Sequence, residues 1–436
     1  MKSAVRRMLI RARTRVRVAR HASRVRRAAV RRELLGSAPV IAVTGTAVKT
    51  TTVALLAHLL GGPPSVGVSL YANTMRDALG QFINLGPRTS AAVVEASEFP
   101  VGTLVSIASV LRPTVAVFTI SGLDHYASFR GAAAAAAEMA TLARDVPAHG
   151  FLVVNADDAD LCRSVSGVIA PVVTFGVAPE ADYRAVSLAV GPDRRLTIDC
   201  RHGGEHVLLT TPFIGRHFHV AALAAVAVAH RLGVSWHDIR SRIATFEPVF
   251  GRCTLLSIPG GPLFICDTTK SPAWSMQSSI ETLDAFADAS RRTLVLGTLS
   301  DYAGDAGRAY RKALRHAWNR VDRIVFLRHT PSHVGASAED VAHGRAVFLK
   351  TVKDIAAYLQ KTAVPGEVIL LKGSSGADHL DRIAHAFVSP VACWLDKCGR
   401  NMNCINCEWM RDHTPATLRP LKKLQHKVLG RRRIYG

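Results

Sequence analysis

A chain of 436 residues with 48% hydrophobic content has material for two or three domains with real cores, which excludes a disordered chain. Its formal charge of +22 looks like a nucleic-acid signature, yet +13 of it falls in residues 1–32 and +7 in residues 411–436, leaving +2 for the body between them. No uncharged apolar run reaches the roughly 18 residues of a membrane span. The N-terminus offers only Met8, Leu9 and Ile10 as an apolar core, so no secretory signal is expected and the location reads as cytoplasmic.

Residues 1–36 alternate arginine with valine, alanine and leucine, which suits a helix whose cationic side chains surround a thin apolar stripe. Such an arm is either solvated, attached to an anionic surface such as the inner face of the membrane, engaged with a partner protein, or bound to RNA. No aromatic is interleaved with these arginines, which argues against a nucleic-acid partner held by base stacking. Binding of nucleic acid by the arms would collapse with salt and vanish on deleting residues 1–32 and 411–436. An organellar transit peptide would carry more serine.

Residues 40–60, VIAVTGTAVKTTTVALLAHLL, read as a buried strand, a tight turn and a helix. The turn carries Gly45, Thr46, Lys49, Thr50 and Thr51. A helix opening there aims its first amides into the turn. That suits an oligophosphate such as ATP, with Lys49 near the terminal phosphates and a Thr50 or Thr51 hydroxyl on Mg²⁺. The general G-x-x-x-x-G-K-[ST] pattern is not met, since Val43 and Val48 stand at the two glycine positions, and the plain alternative is a strand-to-helix turn with a surface lysine. From Val40 to about Phe250 strands, loops and helices repeat. Three further apolar runs, 91–94, 115–118 and 151–154, end in Glu95, near Thr119, and at Asn155 with Asp157 and Asp158. Polar groups past the carboxyl ends of parallel strands mark the ligand edge of an open sheet.

A second, smaller α/β region follows residue 250, with strand-to-loop segments LVLGTLSDY (294–302) and VILLKGSSG (368–376). The tail then carries Cys393, Cys398, Cys404 and Cys407 as C-x4-C-x5-C-x2-C. Four thiolates in so short a stretch can close a tetrahedral Zn²⁺ site that folds the tail; an iron–sulfur cluster and redox thiols are the alternatives. The other four cysteines are scattered, as reduced thiols are.

Several of these stretches together resemble the Mur ligases, ATP-dependent amide-forming enzymes of peptidoglycan, poly-γ-glutamate and cyanophycin synthesis. TGTAVKTTT resembles their TGT-x-GKTT loop, with Val48 in place of a glycine. VVEASEF resembles their strand-terminal glutamate motif, and RPTVAVFTISGLDH their P-x-x-A-x-x-T-N segment, with Ile120 where asparagine is usual. GFLVVNADDAD, GRHFHVAALAA, PVFGRCTLL and FICDTTKSP follow in family order along some 340 residues. The resemblance implies an α/β fold: a central P-loop ATPase domain on a parallel sheet (37–250) and a smaller Rossmann-like domain (251–390), flanked by the basic arm (1–36) and the cysteine tail (391–436).

It further implies an ATP-dependent carboxylate–amine ligase working through an acyl phosphate on an amino-acid or acidic-peptide substrate. Lys49, Glu95, His125, Arg252 and Lys270 would be catalytic; Mg²⁺ would sit on Thr50, Glu95 and His125. Gly45, Thr46, Lys49, Thr50, Thr51, Asn73, His217, Arg252, Asp267 and Lys372 would hold nucleotide, Lys372 alternatively the incoming carboxylate. Closure of 251–390 onto the central domain would exclude water. The UDP-sugar domain of peptidoglycan members is not expected, as only 36 residues precede the first strand, and the outline is similar to the poly-γ-glutamate and cyanophycin members. Met139 stands where many members have a carbamylated lysine. Phe218 and Ala221 replace two asparagines, one of which contacts adenine in relatives, so purine recognition is expected to differ, by stacking on Phe218. These departures leave open a second reading, a Mur-like regulatory or partner-binding subunit.

Overall fold

The computed structural model describes residues 2–410 apart from 73, 87, 123–128, 130, 397 and 401, with backbone only for residues 2–11. Asn73, Asp124, His125 and the basic segment 411–436 therefore lie outside the described residues. Two compact units are present, Met1–Val249 with Asp301–Ala303, and Phe250–Ser300 with Gly304–Gly436.

The first unit is built on a nine-stranded sheet. Its strands are β1 (Val40–Thr44), β2 (Val66–Ser69), β3 (Ala91–Glu95), β4 (Val115–Phe118), β5 (Phe151–Asn155), β6 (Val172–Gly176), β7 (Tyr183–Val190), β8 (Leu196–His202) and β9 (Glu205–Thr210). They lie in the order 2-3-1-4-5-6-7-8-9, parallel as far as β7 and antiparallel from β7 to β9. Every residue of β1, β3, β4 and β5 is buried, as apolar strands covered on both faces must be. The sheet order reverses at β1, which has β3 on one side and β4 on the other, so the turn leaving β1 opens at a topological switch point.

The strand–helix repeat expected as far as Phe250 stops at β6. The last three strands form a meander without helices between them, and past Ala185 most of β7 is exposed or half-buried. One solvated face is what an antiparallel edge permits.

The arginine-rich segment is one helix, α1 (Lys2–Leu34), and its two halves differ. Side chains from residue 12 to 23 are exposed, whereas Ala28 and, just past the helix, Leu35 are buried in the first unit's core. Arg31 donates to the carbonyls of Leu85 and Gly86, Arg32 to those of Gly36 and Arg112, and Glu33 pairs with Arg112. The arm is thus docked at its C-terminal end. Among the described residues no helix is long and apolar enough to cross a membrane.

The second unit carries β10 (Thr254–Ser257), β11 (Leu263–Asp267), β12 (Arg291–Leu296), β13 (Arg323–Leu327), β14 (Ala346–Leu349) and β15 (Glu367–Lys372). Their order is 10-11-15-12-13-14, with only β10 antiparallel to its neighbour. Register places Asp267 at the end of β11 directly beside Lys372 at the end of β15.

Candidate active site

The turn after β1 is closed from below by β4. Thr46 donates from its amide to the Ile120 carbonyl at 2.8 Å, and the Thr46 hydroxyl accepts from the Gly122 amide at 2.7 Å. Gly45 has φ +140°, and a Cβ there would meet Thr119 Oγ1 at 2.0 Å, so only glycine lets the two loops touch. Val48, the residue before helix α2 (Lys49–Leu59), sits at φ 54° and ψ 4° in the left-handed region. The turn keeps the conformation a glycine would adopt freely, and a β-branched residue bears its strain.

Under this turn lies a buried polar cluster. Lys49 Nζ donates to the Gly45 carbonyl and is 3.1 Å from Glu98 Oε2, both residues being almost solvent-free. The Thr50 hydroxyl reaches both Glu95 oxygens at 3.1 and 3.2 Å, and the Tyr71 amide donates to Glu95 Oε2 at 2.8 Å. Thr51 Oγ1 and Glu98 Oε1 are buried without a hydrogen-bond partner. Unpartnered acceptors beside a buried lysine are costly unless a ligand or its metal engages them. The donor set fits a triphosphate with Mg²⁺: helix-start amides and an ammonium for the anion, a hydroxyl and a carboxylate for a hard cation.

Glu98 escaped the sequence reading, which assigned only Glu95 in VVEASEF. Its position three residues past a strand end gives no local signal; only the fold brings it to Lys49. Two residues read as candidate ligand groups at a strand tip serve the scaffold instead. Asn155 Nδ2 donates to the Thr119 carbonyl at 2.8 Å, and Asp158 accepts from the Ser121 amide and hydroxyl while capping the next helix. Asp157 accepts from the Val177 and Ala178 amides and faces His219 at 3.8 Å. Burial raises its pKa, but the His219 contact and those amides outweigh it and hold the carboxyl below its ordinary value.

His217 is half-buried with its ring 4.3 Å from that of Phe218. The expectation that Phe218 offers a stacking platform for a purine is overturned: the ring is 3% exposed and already stacked on Phe213 at 4.7 Å. Met139 is fully buried in the helix Ala132–Ala143, an apolar side chain packed as core.

In the second unit, Lys372 Nζ donates to Asp267 Oδ2 at 2.7 Å and to the Lys270 carbonyl at 2.9 Å, and the Ser279 hydroxyl donates to the same Asp267 oxygen at 2.7 Å. Burial raises the Asp267 pKa, yet the Lys372 charge, the Lys372 and Ser279 hydrogen bonds and the nearby Arg252 charge overcome it, so the carboxyl lies below its usual range. Lys372 is 3% exposed and occupied by these partners, which differs from the expected direct contact with substrate. Lys270 is half-buried, and Arg252 has its Nε buried without a hydrogen-bond partner. Asp378, also unread in the sequence, accepts from the Thr298 amide and hydroxyl at 2.7 and 2.6 Å and fastens the loop after β12 to the loop after β15. The four tail cysteines are all buried, none is in a disulfide, and together with His379 they line one small cavity.

A glycine turn, a lysine and a threonine–glutamate pair at the switch point of a parallel sheet define an α/β protein of the phosphate-loop class. The sequence profile of the Mur ligase middle domain matches residues 43–229, and that of the Mur ligase glutamate ligase domain matches residues 251–375. The chain belongs to the Mur ligase family.

It is 29% identical over 304 residues to the UDP-N-acetylmuramate–L-alanine ligase of Phenylobacterium zucineum, covering 65% of this chain and 61% of that enzyme. Against the enzyme of the same name from a Bradyrhizobium species the identity is 34% over 188 residues, 41% of this chain and 39% of the relative. The chain thus spans about three fifths or less of the length of these curated relatives. Among solved structures, MurF from Acinetobacter baumannii shares the fold with a TM-score of 0.73 at 20% identity, over 84% of this chain and 80% of that one. MurF of Thermotoga maritima in complex with ADP gives 0.68 at 20%, over 81% and 80%.

Proposed function

We propose that this chain is an ATP-dependent carboxylate–amine ligase acting on an amino-acid or acidic-peptide substrate. The observation that carries the reading is the buried Lys49–Glu98 and Thr50–Glu95 cluster beneath the glycine turn, with Thr51 Oγ1 and Glu98 Oε1 left unpartnered. ATP with Mg²⁺ supplies the phosphoryl group that makes a carboxylate an acyl phosphate, from which an amine displaces phosphate. The chain's own part is positioning and charge compensation. Gly45 and the start of α2 bring backbone amides to the phosphates, Lys49 brings a cation already desolvated, and Thr50 with Glu95 would hold the metal. By resemblance His125 would join them.

In the second unit the Asp267–Lys372 pair fixes the ends of β11 and β15; Lys270 follows β11 and Arg252 precedes β10, which pairs with β11, so those two are the groups proposed to meet phosphate there. The relatives named for joining UDP-N-acetylmuramate to L-alanine support an acid and an amino acid as the substrate pair. The exposed arginines of α1 would add an anionic surface as a partner, and the tail cysteines a structural ion of the zinc class.

One observation favours a second reading, a Mur-like subunit with weakened catalysis: the phosphate turn is held in a left-handed conformation by a valine. Both readings meet one experiment. Calorimetry with Mg²⁺-ATP, followed by phosphate release across a panel of amino acids and acidic peptides, should show binding and amine-dependent release in the native chain. Release that persists unchanged in Lys49→Ala removes the ligase assignment, and absence of nucleotide binding removes both catalysis and the site.

A further inference from the structure

The tail is joined to the second unit through its sulfur cluster. Cys404 opens and Cys407 caps a 3₁₀ turn, Cys404–Asn406, in which residues three apart share one face; the Cys407 amide donates to the Cys404 carbonyl at 2.9 Å. The Ala392 amide donates to the Met410 carbonyl at 3.0 Å, which brings the start of the tail back beside the turn that follows Cys407. All four cysteines are at most 9% exposed and line one cavity. Packing this many thiols around a space with so little apolar core of their own is a poor way to fold twenty residues, and a good way to enclose a cation.

The wall of that cavity opposite the tail belongs to the loop and short helix after β15. His379 is 2% exposed, stands at φ 57°, and places its Nε2 3.2 Å from Cys398 Sγ, while its Nδ1 has no hydrogen-bond partner. Asp381 accepts from the Cys404 amide and keeps Oδ1 buried and unpartnered, and the donor atoms of His379, Asp381 and Cys404 lie within 4.8 Å of one another. Arg382, almost fully buried, donates to the carbonyls of Cys393 and Leu395 at 2.9 and 3.1 Å. Three polar or charged residues within four positions of the second unit, His379, Asp381 and Arg382, therefore face the cluster.

We infer that the tail thiols, with Cys404 the one whose sulfur lies within 4.8 Å of ligand atoms of both His379 and Asp381, bind one thiolate-preferring divalent cation of the zinc class, and that His379, against Cys398, makes the bound ion a staple holding the loop 373–381 to the tail. The inference rests on the assignment of a structural ion to the tail and extends it to that loop, which also carries Asp378 and follows Lys372. His379 Nε2 against Cys398 Sγ is the contact through which the loop would orient a ligating sulfur.

The test uses the full chain purified without added metal. Elemental analysis should find one zinc per chain and no iron or acid-labile sulfide; cobalt substituted into chelator-stripped protein should show sulfur-to-metal charge-transfer bands of a tetrahedral site with thiolate ligands. Cys404→Ser should lose the ion. If that variant does not fold, reversible stripping and reloading of the native chain gives the same reading. His379→Ala should keep one metal per chain but bind it about ten- to a hundredfold more weakly, with His379→Gln in between. On stripping, hydrogen exchange should rise in residues 373–381. No metal, or an iron–sulfur cluster, overturns the site altogether. Stoichiometric zinc with unchanged affinity in His379→Ala and unchanged exchange in 373–381 overturns the staple while leaving the tail ion and the ligase assignment standing.

Discussion

Both units bury a lysine–carboxylate pair at the carboxyl edge of a parallel sheet, and the two pairs are finished differently. Asp267 and Lys372 are tied to their surroundings as well as to each other: Ser279 donates to the same carboxylate oxygen as Lys372, the Lys270 carbonyl accepts from the ammonium, neither side chain leaves a buried atom unpartnered, and the strands that carry them are directly paired. The partner of Lys49 is not finished in this way, because Glu98 Oε1, like the Thr51 hydroxyl, remains buried without a partner. A buried pair with all its hydrogen bonds is a fastening; one with acceptors left over is shaped for something else to complete. The comparison assigns ligand work to the first unit's strand tips and positioning work to the second's.

The assignment can be broken at several points. The largest effect is expected from Lys49→Ala, which should lower amine-dependent phosphate release by about a thousandfold or more, as loss of a charge at a phosphoryl site does. Urea unfolding beside it checks that the fold survives. Mg²⁺-ATP at a hundred times its dissociation constant should stabilise the native chain by about 2.7 kcal/mol and the variant by far less.

Next, Lys372→Ala should cost about 3–5 kcal/mol in urea unfolding, because Asp267 is left charged and buried alone. The paired change Lys372→Met with Asp267→Leu should recover most of that loss. If the paired change is no better than the single one, the Asp267–Lys372 contact is more than a fastening.

Relieving the turn should act in the other direction. Val48→Gly removes a left-handed β-branched residue and should raise stability by about 1 kcal/mol, the strain relieved exceeding the backbone freedom gained by the unfolded chain. It should also tighten Mg²⁺-ATP binding; weaker binding would mean that the valine is suited to the site.

The smallest effect concerns acid. Because the Asp267 pKa is lower in the folded chain than its unfolded value near 3.9, its contribution is present at neutral pH and is lost as pH falls from that value through the folded one. The Lys372→Met, Asp267→Leu chain should therefore lose less stability than the native chain as pH falls below about 4, followed by far-UV dichroism.

The fold could be read where burial is two-sided. Strands β1, β3, β4, β5 and β15 are apolar runs in sequence because both their faces are covered, and β3, β5 and β15 end in the polar residues Glu95, Asn155 and Lys372 that their sequence singles out. Strands β7 to β9 are one-sided and carry arginine, histidine and threonine among their apolar positions, so their pattern competes with loop composition. Within the site, residues inside a recognisable turn, Gly45, Lys49 and Thr50, and at a strand end, Glu95, were legible. Glu98, Asp378 and His379 were not, since each acquires its meaning only from a partner far away in sequence, Lys49, Thr298 and Cys398 respectively. Phe218 shows the opposite failure: a residue type that could stack on a base was already stacked on Phe213.

Gly45 and Val48 lie three positions apart in one turn yet leave evolution very unequal room. At Gly45 a single methyl group would collide with Thr119 Oγ1 at 2.0 Å, so variation there is barred unless the β4 loop is rebuilt with it. At Val48 the left-handed backbone has already tolerated a bulky substituent. The loop is therefore tunable from its helix side alone, and its divergence among descendants of this chain should accumulate at that end.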